Sequence, residues 1–160
     1  SLQTANRSNT KLLILPEKDA TMSIPVASAL GFALWTLVIL FSTVGVYRWS
    51  RIFTGRASIS QWTANPDDGS AWYGRAMRAH MNCIENLPVF ACIVFAVESA
   101  GVASATLDTL ALTVLGTRVV QSTVHIALPQ SERIATLRFL AFFSQILAMF
   151  AMVGSLLVSL

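Results

Sequence analysis

Three sets of polar residues stand in stretches that are otherwise apolar, and their types and spacing suit the binding of a small anion. Arg78, Asn82 and Glu85 are spaced i, i+4 and i+7, which on an α-helix makes one stripe down one face. Arg118, Gln121, Ser122 and His125 make a second stripe, and Arg138, Phe142 and Gln145 a third. Guanidinium forks match carboxylates in geometry and charge. Arg78, Arg118 and Arg138 against Glu85 leave two positive charges over, and burying such a surplus unpaired is unfavourable. An anionic ligand removes it, while Glu85 and the amides suit an amine and peptide groups. The ligand so described is small, peptide-like and negatively charged. Each residue also has a plainer reading. Arg75 and Arg78, near a helix end, suit snorkelling to an interface. Arg118 and Glu85 suit helix-to-helix pairing, His125 a satisfied interior histidine, and His80, off the stripe, a place at headgroup level.

The elements that must position these residues follow from the composition. Of 160 residues, 54% are apolar and only 12% charged, about half the charge of an ordinary soluble domain. A soluble enzyme, a disordered tail and a nucleic-acid reader are excluded on this balance; the 11 basic residues behind the net charge of +3 are scattered. Ser23–Tyr47 is an uncharged run of 25 residues and Phe139–Leu160 one of 22. A hydrocarbon core about 30 Å thick needs roughly 20 helical residues, so both runs can span it. Two further spans form if Glu85 and Arg118 are admitted to membrane helices, facing the bundle interior. The expectation is an all-α, integral membrane four-helix bundle, with helices over about 24–48, 76–100, 105–128 and 134–159.

The connections set an orientation. Arg48, Arg51, Arg56, Arg75 and Arg78 fall around the first connection and Arg133 and Arg138 around the third, while Glu98–Asp108 has no Lys or Arg. By the positive-inside rule the first and third face the cytoplasm and both termini lie outside. Residues 1–22 read as a polar N-terminal extension or an added remnant, with Met22 as a possible start, and 23–160 as the transmembrane domain. Pro88 is expected to kink the second helix, and the pair Ala100-Gly101 to end it. Cys83 and Cys92 stand about 13 Å apart along that helix on opposite faces, too far to bridge. No Cys/His set has metal spacing.

The stretch Arg78-Ala-His-Met-Asn82-Cys-Ile-Glu85-Asn-Leu-Pro88-Val-Phe90 resembles the signature of the MAPEG family, the membrane-associated proteins of eicosanoid and glutathione metabolism, in its bacterial branch. Thr54-Gly55 and Ala64–Asp68 look like the family's first cytoplasmic loop, and the resemblance extends over about residues 24–158. It implies a homotrimer in a bacterial inner membrane, with glutathione bound between neighbouring subunits at the cytoplasmic side. Carried over by position, Arg78, Asn82, Glu85 and Arg118 match residues that hold glutathione, with His125 added beside them. Arg138 matches the catalytic arginine that stabilises the thiolate. Nearby cations lower a thiol's pKa from about 8.5 and so enrich the nucleophile.

That thiolate is expected to attack a lipophilic electrophile or peroxide arriving from the membrane lipid, as in a glutathione-dependent transferase or peroxidase. The chain also departs from the family. His125 and Phe142 stand where the mammalian enzymes carry tyrosines, Phe139 replaces a serine, and Ser58 lies where a loop arginine is expected. These departures support an alternative, a non-catalytic scaffold or lipid-binding subunit of a larger membrane complex.

Overall fold

The computed structural model describes residues 21–160 except Ala64 and Pro66, so most of the expected extension over 1–22 lies outside the described residues. Ile24–Phe53, Ala71–Ser99, Ala105–Ala127 and Glu132–Ser159 are four helices long and apolar enough to cross a membrane. Among the described residues there is no strand. The fold is therefore the all-helical membrane bundle that the uncharged runs imply.

All four helices begin in the same way. Ser23, Ser70, Ser104 and Ser131 have extended backbone, and each side-chain oxygen accepts from the backbone N–H three residues on. A serine cap satisfies one of the donors that a helix start leaves without a partner. The second helix ends at Gly101, whose φ of 66° no side-chain-bearing residue adopts readily, with its N–H donated to Glu98 O at 3.0 Å. It continues through Pro88 as one helix. Within the first helix, Leu40–Gly45 widens into a π-helical stretch before α-helix resumes at Val46.

Two boundaries differ from expectation. The first helix runs five residues further, to Phe53, and the second starts five earlier, at Ala71. Aromatic packing explains both extensions. Tyr47 stacks on Tyr73 at 4.7 Å between centroids, Trp62 from the connecting loop packs edge-on against Tyr47, and Arg48 Nε donates to Tyr73 Oη at 2.8 Å. The loop is folded back onto the helix ends, which keeps both helical past the apolar runs.

Below this cap the core is Phe32 and Ile39 from the first helix, Phe90, Val94 and Val97 from the second, Leu107, Ala111 and Val114 from the third, and Met149 and Met152 from the fourth. Both cysteines are free, Cys83 buried in this core and Cys92 exposed on the opposite face.

Candidate functional site

The core-facing side of the second helix is set by Tyr73, Ala76, His80, Cys83, Phe90, Val94 and Val97. That choice leaves the Arg78–Asn82–Glu85 stripe at the edge: Arg78 is exposed, Asn82 half-buried and Glu85 exposed. Glu85 was expected inside the bundle and is instead on the outer surface of this chain. Six apolar residues and His80 already fill the inward face, and a helix offers one such face. Arg118 does go inside. It is completely buried, its Cζ 5.4 Å from the centroid of the Phe32 ring, with Nη1 donating to Gln121 Oε1 at 2.5 Å.

A cleft of about 540 Å³ opens where the second, third and fourth helices end against the first loop. Arg75 and Arg78 from the second helix, His125 from the third, Gln130 from the following connection and Arg138 from the fourth line it, with Asp67 and Ser70 completing the rim. Arg78 Nη2 pairs with Asp67 Oδ1 at 3.1 Å, Arg75 Nε donates to Ile126 O at 3.3 Å, and Arg138 Nη1 donates to Gln130 Oε1 at 2.8 Å. Asp67 is the one carboxylate among the described residues of the lining, so two positive charges remain in excess. The surplus expected from the sequence is present, but Arg75 supplies the third cation in place of Arg118.

A second cavity of about 300 Å³ adjoins the first and shares Arg138 and Gln130 with it. Asn82 and Gln121 give it polar edges, and Ala135, Phe139 and Phe142 give it an apolar wall. Of the six residues singled out from the sequence, Arg78, His125, Asn82 and Arg138 thus line two spaces that share Gln130 and Arg138. Arg118 stands one side chain behind them, reached through Gln121, and Glu85 lines neither space. His80 is buried in the bundle.

Sequence reasoning missed Gln130 and Asp67 as site residues. Gln130 sits just ahead of the Ser131 cap, in a connection too short to leave the helix ends, and that position was the available signal. Asp67 comes to the cleft only because the loop folds back, which spacing along the chain does not reveal. The Trp35 Nε1 to Ser122 Oγ bond at 2.7 Å, joining the first and third helices, also had no signature. Among the described residues no group of His, Cys, Asp and Glu could hold a metal ion.

The site combines an electropositive cleft, reached from a helix-bundle end, with an apolar annex on the fourth helix. In the comparison with protein families, the model described as the MAPEG family matches residues 25–158, nearly the whole of the chain. No curated protein matches, and no solved structure matches.

Proposed function

This chain belongs to the MAPEG family, and on that premise we propose that it is an integral membrane glutathione-dependent transferase or peroxidase acting on lipophilic electrophiles or peroxides. Members of the family are glutathione-dependent transferases or peroxidases. The observation that carries the reading is the cleft with Arg75, Arg78 and Arg138 against the single carboxylate Asp67. Glutathione carries one net negative charge as the thiol and two as the thiolate, so the charge excess of the cleft favours the reactive form.

In this reading Arg78 and Asn82 hold the tripeptide, Arg118 and His125 support it from the third helix, and Arg138 faces the sulfur. Arg138 is suited to that task because it lines both spaces. A thiolate beside it in the polar cleft meets an acceptor whose apolar part lies against Phe139 and Phe142. Glu85 completes the site from a neighbouring copy. A carboxylate facing lipid costs on the order of 2.5–3.5 kcal/mol at mid-helix, and its exposure in the single chain supports burial in a homotrimer. Both termini lie outside a bacterial inner membrane, with the arginine-rich cleft on the cytoplasmic side, where the cosubstrate is.

Glutathione titrated calorimetrically into the detergent-purified protein tests the reading: saturable binding is expected, and no measurable affinity at millimolar concentration would overturn it. The alternative, a non-catalytic scaffold or lipid-binding subunit of a larger complex, is favoured by Phe139 and Phe143. They stack at 5.9 Å and remain exposed on the fourth helix, a surface suited to a partner.

A further inference from the structure

Two side chains lining the main cleft can accept a proton, Asp67 and His125. Asp67 is engaged with Arg78 at 3.1 Å and stands at the exposed rim. His125 is different. It is held in the last turn of the third helix, nearly fully buried, and among the described residues no hydrogen bond occupies its ring. Its Nδ1 is sealed in the bundle without a partner, which leaves Nε2 as the nitrogen available to the cleft. Arg75, Arg78 and Arg138 share the lining, and a resident proton on the imidazole would add a fourth positive charge among three.

We propose that His125 is the base that takes the proton from the thiol bound in this cleft. The inference rests on the glutathione reading above and assigns the proton a path. The arginines favour the thiolate electrostatically, but a guanidinium cannot accept a proton, and of the side chains lining the cleft His125 is the acceptor not already engaged. The S–H bond breaks as the N–H bond forms at Nε2. The sulfur electron pair then forms the bond to the electrophilic carbon of the lipophilic acceptor. The imidazolium returns its proton to the leaving group, or to the atom of the acceptor that gains the displaced electron pair. The same three cations that favour the thiolate make the imidazolium short-lived, so the base is ready again once the product leaves. A positioned base of this kind contributes about 100-fold or more to a proton-transfer step.

The test uses the detergent-purified protein, wild type and His125→Gln, with two probes. S-methylglutathione has no thiol proton and reports binding alone by calorimetry; glutathione reports thiolate formation by stopped-flow ultraviolet absorbance. We expect His125→Gln to keep saturable but weaker binding of S-methylglutathione and, at saturating glutathione, to form the thiolate about 100-fold more slowly than wild type, with part of the rate restored by added imidazole. Thiolate formation at the wild-type rate in His125→Gln overturns the proposal and leaves the glutathione reading standing. Wild-type protein that binds neither probe overturns both. If His125→Gln does not purify as a monodisperse species, His125→Asn takes its place with the same expected outcomes.

Discussion

Gln121 Oε1 accepts a 2.5 Å hydrogen bond from Arg118 Nη1, and this bond joins a fully buried guanidinium to the wall of the cavity next to Arg138. The remaining nitrogens Nε and Nη2 of Arg118 are buried without partners among the described residues, so Gln121 is the side-chain hydrogen-bond acceptor of this guanidinium among those residues. Losing one partner of a buried charged hydrogen bond leaves the other uncompensated, whereas removing the charge itself does not. Gln121→Leu is therefore expected to cost about 1.5–3 kcal/mol, and Arg118→Met less. Thermal unfolding of the two variants in one detergent checks the order; an Arg118→Met protein less stable than Gln121→Leu contradicts it.

The aromatic cap makes a second prediction. A Cβ added at Gly69 would lie 2.5 Å from Tyr73 Cδ1 and 3.0 Å from Tyr47 Cε1. The loop cannot keep its path over those rings with any side chain there, and Asp67 sits two residues away. Gly69→Ala is expected to release the loop, so that limited proteolysis between residues 54 and 70 speeds up several-fold. Tyr73→Phe removes only the bond from Arg48, worth about 0.5–1.5 kcal/mol, and is expected to speed cleavage less. Equal cleavage in Gly69→Ala and wild type would show that the rings do not hold the loop.

The charge balance of the cleft is testable through Asp67. Its carboxylate neutralises part of Arg78, and both side chains are exposed, so the pair is worth only about 0.2–1 kcal/mol. Asp67→Asn frees Arg78 for an anionic ligand. Glutathione affinity is expected to rise about 1.5- to 5-fold, with the gain shrinking at high salt. Arg138→Ala acts in the opposite direction and is expected to raise the pKa of the bound thiol, read by absorbance against pH. Weaker binding in Asp67→Asn would mean that Asp67 contacts the ligand rather than competing for Arg78.

Much of this was legible in the sequence because membrane helices follow simple rules. Uncharged length gave two of the four spans, and admitting Glu85 and Arg118 to membrane helices gave the other two; the serine caps were not read from the sequence. The stripe on the second helix was read correctly as a stripe, but its direction was not. Arg78, Asn82 and Glu85 looked like an interior face, since polar residues in hydrocarbon usually turn inward. The apolar residues Tyr73, Ala76, Cys83, Phe90, Val94 and Val97 compete for the same inward side and occupy it, which pushes the stripe to the subunit edge. Arg75 flanked the stripe in the sequence yet joined the cleft because the helix starts five residues earlier than its apolar run. That start depends on Tyr47, Trp62 and Tyr73 meeting across a loop, a contact that spacing alone does not encode.

The edge position of the stripe makes the last prediction. Ile84, Glu85 and Val89 are exposed on one side of the second helix, next to half-buried Asn82. Lipid accepts Ile84 and Val89 but not the Glu85 carboxylate, and in the proposed homotrimer a neighbouring copy covers all three. In the proposed homotrimer a bulky residue there breaks contact between copies, so Ile84→Trp is expected to give smaller species in detergent than wild type. On the first helix Leu34 is as exposed as Ile84, carries no polar neighbour that needs cover, and faces lipid in this arrangement. Leu34→Trp is expected to leave the assembly intact. Light scattering on both variants separates the two faces. If Ile84→Trp stays trimeric while Leu34→Trp dissociates, the interface lies on the first helix and Glu85 needs another partner.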